Sequence, residues 1–179
     1  DVIMIGEMRD LETARIAIQS AFTGHLVLST IQTNDADGGI TRMLDMCVED
    51  YLLTSTVNAI LDQRLVRTLD TEQREPWDVL PEMVEELGLR ELGERDRYVF
   101  YKPVPTAENP TGYHGRTSIL ELLVMSDPVR RLVIRHATSG EIQDQAVSDG
   151  MRTMYLDGLN KCLGGVTTLD EVLRVTQEA

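Results

Sequence analysis

The 179-residue sequence predicts an α/β fold. Two observations carry that expectation. The chain opens on a strand–helix–strand pattern, and its second half is dominated by amphipathic helical periodicity. Hydrophobic residues make up 42% of the chain, enough to build a core.

Asp1 to Ile5 is a short apolar run rich in β-branched residues, bounded by Gly6, and reads as a buried strand. Asp10 then serves as N-cap of a helix to about Phe22, with Ala14, Ala17, Ile18 and Ala21 on one face. Thr23-Gly24 breaks it, and His25 to Ile31 reads as a second buried strand. A strand–helix–strand unit of this length implies a parallel pair. Asn34-Asp35 starts another helix over about Ala36 to Met46. A longer helix is expected from about Glu49 to Thr68, because Leu53, Val57, Ile60, Leu61 and Leu65 recur at helical spacing.

Composition shifts at Leu69. About half of the side chains from Asp70 to Asp96 are charged, with one amphipathic helix expected over Trp77 to Leu87. Tyr98 to Pro103 reads as a strand, followed by a loop to Thr111 that holds Pro103, Pro105 and Pro110. Arg116 to Leu123 fits either a strand or a helix start. Beyond it, Asp127-Pro128 and Ser139 read as helix starts, and Gly150 as a stop. Thr153 to Leu163 is a helix ended by Gly164-Gly165, and Thr168 with Glu171 forms a capping box for the last one. The C-terminal helices, with Val129, Leu132 and Val133 and then Leu169, Val172 and Leu173, read as a packed bundle.

The formal net charge of −13 argues against a nucleic-acid surface, which would need clustered Lys and Arg. No run of 18 apolar residues is present to suggest a membrane span. Cys47 and Cys162 match no metal spacing, and free thiols fit the cytoplasm. A chain opening directly on a strand reads as a piece of a larger protein.

The chemistry concentrates in DVIMIGEMRD and TGHLVLSTIQTNDA, residues 1–10 and 23–36. A carboxylate just past a parallel strand, here Glu7, stands at the sheet edge where α/β folds bind ligands. There it can orient water on Mg²⁺ bound to phosphates. The second strand ends in Ser29, Thr30, Gln32, Thr33 and Asn34, neutral groups able to meet a γ-phosphate or an attacking water. Taken singly, Glu7 reads rather as a strand-end carboxylate that caps a neighbouring helix or pairs with Arg9, and His25 as a hydrogen-bonded core histidine.

In combination these motifs resemble the ATPases of type II secretion and type IV pilus assembly. In that family a Walker B segment reads like DxIxxGExRD and a His box like TGHLVLSTLHTNDA. The resemblance continues through DQRLVRTL (62–69), TGYHGRTSILELL (111–123) and SDGMRTMYLDGLNKCLGGVTTLDEVLRVT (148–176). It implies a partial RecA-like P-loop NTPase sheet flanked by helices, then a mostly helical C-terminal subdomain. The implied division is 1–69 for the ATPase half, 70–111 for an insert at the family's zinc-subdomain position, and 112–179 for the helical subdomain.

By resemblance, Glu7 is the Walker B acid acting on Mg²⁺ through water, Arg9 its partner or a subunit contact, and His25 the first His-box histidine. Gln32, beside Thr33, occupies the γ-phosphate-sensing position where the family carries histidine. Gln can donate one hydrogen bond there but cannot titrate. Asp70, Gln73, Pro105 and Glu108 stand where secretion and extension members carry two Cys pairs, so no Cys₄ zinc site is expected. The insert itself favours the secretion or extension branch. No GxxxxGK[ST] occurs, so the chain is expected to hold part of an ATP site and to be inactive alone. The implied whole is a cytoplasmic homo-hexamer peripheral to the inner membrane, working on secretion or pilus platform proteins, with ATP and Mg²⁺ as cofactors. The rivals are a non-hydrolysing regulatory or scaffold paralogue and a RecA-like DNA translocase, the latter disfavoured by the charge.

Overall fold

The structure, a computed structural model, describes residues 1–176. It separates into two compact units. The first joins Asp1–Asp62 to Glu121–Met151, and the second joins Gln63–Leu120 to the chain from Arg152 onward.

In the first unit, β1 (Val2–Ile5) and β2 (Leu26–Ser29) pair in parallel, with Val2 opposite Leu26 and Ile5 opposite Ser29. The connecting helix α1 (Leu11–Phe22) begins at Asp10, whose carboxylate accepts the Thr13 N–H at 2.8 Å. That bond satisfies one of the helix's open donors. Ala14 and Ala17 are buried on one side of α1. Helix α2 (Ala36–Asp45) starts in the same way at Asp35, which accepts the Gly38 N–H at 2.8 Å.

The helix expected over 49–68 is a correction. Helix α3 spans only Asp50–Thr56, and β3 covers Ala59–Leu69. Exposure along β3 alternates residue by residue, which is the period of a strand. Leu61 and Leu65 are exposed, whereas Val66 is fully buried. The leucine spacing at 61 and 65 satisfies both periods, and pairing with a second strand decides between them.

Strand β6 (Tyr113–Val124) pairs with β3 as a second two-stranded sheet, which resolves the ambiguity of Arg116–Leu123 in favour of a strand. Helices α5 (Asp127–Ile134) and α6 (Ser139–Ser148) complete the first unit. Each cap lies one residue before the expected one. Ser126 takes the Val129 N–H, and Thr138 forms a full capping box with Glu141. The core of this unit gathers Ala14, Ile18, Ile40, Leu53, Leu123, Val129 and Ile142.

The second unit contains an antiparallel pair, β4 (Arg74–Asp78) with β5 (Val99–Pro103), in register Trp77 to Phe100. Trp77 therefore lies in a strand, and the helix of this region, α4, is the shorter Pro81–Glu86, followed by a 3₁₀ turn at Leu89–Leu92. Pro81 at the first turn explains why helix cannot extend back to Trp77. Trp77 and Phe100 meet edge to face, with ring centres 5.6 Å apart. Helices α7 (Met154–Leu163) and α8 (Leu169–Thr176) pack with this pair around Phe100, Leu159, Cys162 and Val172.

Only half of the expected box at the start of α8 is present. The Glu171 N–H reaches Thr168 Oγ1 at 3.4 Å. The Glu171 carboxylate bonds instead to the Arg67 N–H at 2.8 Å, the Arg67 guanidinium at 2.9 Å and Arg174. Arg67 also lies 4.2 Å from the centre of the Tyr113 ring, a cation–π contact.

The loops at the expected cysteine positions are tied by hydrogen bonds. Asn109 Nδ2 donates to Asp70 Oδ2 at 3.4 Å and to the Tyr113 carbonyl at 3.2 Å. Val104 N donates to the Gln73 carbonyl at 2.8 Å. Gly112 closes the turn with φ +68°, and a Cβ there would stand 2.7 Å from Pro103 Cβ.

Candidate functional site at the carboxyl edge of the parallel strands

Parallel pairing places the carboxyl ends of β1 and β2 at one edge, so the residues following both strands meet there. The pairing continues beyond the strands. Met8 N donates to the Thr30 carbonyl at 2.8 Å, and Thr30 Oγ1 donates to the Gly6 carbonyl at 2.6 Å. These two bonds bracket Glu7 and fix its backbone.

The Glu7 side chain is a quarter exposed and accepts from Arg9 Nε at 2.6 Å. Arg9 itself is three-quarters exposed. An exposed ion pair of this kind contributes little to stability, about 0–1 kcal/mol, so it can rearrange without cost to the fold. Gln32 is exposed and Thr33 half-buried, both on the segment that leads from the same edge into α2.

The donor set at this edge fits a magnesium ion held chiefly by phosphates and water. Mg²⁺ keeps several waters and uses one or two carboxylates, and Glu7 supplies one, open to solvent. The neighbouring Thr30 hydroxyl donates its proton to the Gly6 carbonyl, and Glu7 supplies a charged oxygen.

His25 is not brought to this edge. It precedes β2, and the residue after it, Leu26, bonds through its N–H to the Asp1 carbonyl, at the amino end of the sheet. Four strand residues at roughly 3.3 Å each place it more than about 13 Å along the sheet from the residues around Glu7. Its Nδ1 lies 3.2 Å from both Thr23 Oγ1 and the Ser20 carbonyl, so the ring closes the end of α1.

Sequence reasoning passed over the groups behind the 32–35 segment. Glu121 on β6 is buried and accepts the Ala36 N–H at 2.8 Å. Asp37 is buried, and one of its oxygens accepts from the Ser139 hydroxyl while the other has no hydrogen-bond partner among the described residues. Burial pushes the Asp37 carboxyl up, and the nearby charges of Asp35 and Glu121 add to this against the Ser139 bond. Periodicity could not reveal these pairings, whose partners are 85 and 102 residues apart. The one local signal was the run of two acids, Asp35 and Asp37, at a helix start.

A shallow cleft of about 510 Å³ lies elsewhere in the first unit, lined in part by Cys47, Asp50, Tyr51 and His136. It contains no residue of the candidate edge. His136 Nε2 and Asp50 Oδ2 are 3.3 Å apart there.

The described residues contain no helix long and apolar enough to cross a membrane. Residues 1–174 match the family model described as Type II/IV secretion system protein. The chain is 63% identical over its whole length to a type II secretion system protein E of Xanthomonas campestris pv. campestris, covering 32% of that protein. It is 41% identical to the type IV pilus assembly ATPase PilB of Myxococcus xanthus, over 97% of the chain and 31% of the relative. The chain thus spans about a third of the length of these relatives. Among solved structures, the pilus retraction motor PilT with bound ADP aligns with a TM-score of 0.65 at 24% identity, over 98% of this chain and 39% of PilT. The Legionella pneumophila ATPase DotB aligns with a TM-score of 0.63 at 19% identity, over 99% and 39%. These likenesses bear out the RecA-like α/β fold. With a family match over residues 1–174, the protein belongs to the type II/IV secretion system protein family.

Proposed function

We propose that this chain is the Walker B and His-box part of an ATP-hydrolysing motor that drives pseudopilin or pilin assembly in type II secretion or type IV pilus biogenesis. The observation that carries the reading is the shared edge: Glu7 follows β1, and Gln32 and Thr33 follow the parallel partner β2. In the whole protein this edge faces the phosphates of ATP. Bound Mg²⁺ would neutralise developing charge on them. Glu7 would hold Mg²⁺ through water by its carboxylate. Arg9 orients that carboxylate. Gln32 and Thr33 donate toward the γ-phosphate. His25, at the far end of β2, serves the fold of α1 rather than this edge.

The functional division is 1–69 for the nucleotide-facing part, 70–111 for a zinc-free insert and 112–179 for the C-terminal subdomain. The working assembly is a homo-hexamer at the cytoplasmic face of the inner membrane, in contact with the platform proteins of its secretion or pilus machine. The isolated chain, without a phosphate-binding loop, neither holds ATP tightly nor hydrolyses it. Calorimetric titration of the isolated chain with Mg-ATP checks this: no binding in the micromolar range is expected, and micromolar binding or steady turnover contradicts it.

Gln32 favours a second reading, a regulatory paralogue that does not hydrolyse ATP, because Gln cannot take a positive charge. Steady-state ATPase assays of the longer protein separate the two. The motor reading expects turnover in the parent and faster turnover in Gln32→His. A parent with no turnover, restored or not by the histidine, supports the paralogue.

A further inference from the structure

The segment that carries Gln32 and Thr33 is fixed from behind by groups far away in sequence. It runs directly into the first turn of α2. There the Ala36 N–H is held by Glu121 of β6 at 2.8 Å, and Asp37 is held by the hydroxyl of Ser139, the first residue of α6. Asp35 closes the same turn on Gly38 at 2.8 Å. Ala36, Asp37 and Glu121 are all buried; the Ala36–Glu121 bond forms away from water, where a lost partner is costly, and the Asp37–Ser139 bond is partly buried. Glu121 also continues into Leu123 and Met125 of the unit's core, and Ser139 opens a helix that buries Ile142 and Ala146 in that core. The start of α2 therefore cannot shift without disturbing β6 or α6.

We propose that Glu121 and the Asp37–Ser139 pair are positioning residues that hold the nucleotide-sensing segment and pass its displacement to helix α6. The inference rests on the functional reading above, in which Gln32 and Thr33 face the γ-phosphate. It adds the output of that site: a physically continuous link of one backbone N–H, two carboxylates and one hydroxyl. These four groups bond to one another and to the start of α2, behind the segment that carries Gln32 and Thr33. Their effect is on where Gln32 and Thr33 stand when the phosphate bond breaks, so it falls on kcat rather than on ATP binding.

The test uses the full-length protein with Glu121→Ala, Glu121→Gln, Ser139→Ala and Ser139→Thr. Gln keeps an oxygen able to accept the Ala36 N–H, and Thr keeps the hydroxyl. Glu121→Ala and Ser139→Ala are expected to lower kcat by about tenfold or more with KM for ATP changed less than about threefold, and the Gln and Thr variants to recover most of it. A second measurement needs no variant. Amide exchange of the parent, compared without nucleotide and with a non-hydrolysable ATP analogue, is expected to change at the first turn of α6 as well as over 32–38. The idea is overturned if Glu121→Ala folds and keeps the parental kcat, if Gln is no better than Ala, or if exchange in α6 ignores nucleotide while 32–38 responds. A Glu7→Gln control separates this from the parent reading: if that variant hydrolyses ATP normally, the assignment of the edge fails. If it is inactive while the Glu121 variants are normal, only the link fails.

Discussion

At Glu171, burial pushes the carboxyl up, but hydrogen bonds from Arg174 and from the side chain and backbone of Arg67 outweigh it and hold the pKa at about 2. A depressed folded pKa means the contribution is complete above the unfolded value of 4.5 and is lost as pH falls from there toward about 2. It amounts to ~3 kcal/mol at most. Urea unfolding of the parent and Glu171→Gln should therefore differ most above about pH 5 and converge toward pH 2. A constant difference across that range would contradict the assignment. Cys162 shows the opposite case. Burial, with Asp170 adding to it, pushes its thiol up to about 12, whereas Cys47 is exposed. A maleimide at neutral pH should label Cys47 rapidly and Cys162 only after unfolding, since reaction needs both thiolate and access; mass spectrometry of the native protein reads this directly. The pairing of Thr168 with Glu171 was legible as a motif, yet its carboxylate turned elsewhere. A capping box and a buried ion pair use the same residue types, and only the approach of Arg67, 104 residues away, decides between them.

Among elements, those with strong local signals were legible. The Asp10 and Asp35 caps, the breaks at Thr23-Gly24 and Gly150, and β5 stand close to where residue chemistry puts them. The region 49–69 was not, because apolar residues spaced by four satisfy a helix and a strand alike. What separates them is β3 pairing with β6, a non-local contact. The packing of α7 on α8 depends on a close approach that sequence cannot announce. A Cβ on Gly158 would lie 2.5 Å from Val172 Cγ1 and 2.9 Å from Cγ2, and Val172 is fully buried. Val has little rotamer freedom with which to yield. Gly158→Ala gains about 1 kcal/mol in helix propensity, but overpacking costs about 1–3 kcal/mol. The expected outcome is a lower Tm, by a few degrees, with the larger loss in Gly158→Val. A raised Tm would show that α8 moves freely away from α7.

For the molecule as a whole, the candidate edge was legible because it lies where chain order and strand direction agree. Glu7 follows its strand by two residues and Gln32 by three, and parallel pairing does the rest. His25 was placed with them by motif alone, and the strand between explains its separation. Glu121 and Ser139 were invisible because they act through contacts that only the folded unit creates. In the proposed function, Glu7 is the acid of an ATP site completed by the rest of the protein. The most direct test of that role is Glu7→Gln in the full-length protein, which keeps size and one acceptor oxygen but removes the charge. ATPase turnover should fall by about 10²-fold or more while binding of a fluorescent ATP analogue stays within about threefold of the parent. Turnover at the parental rate would contradict the claim.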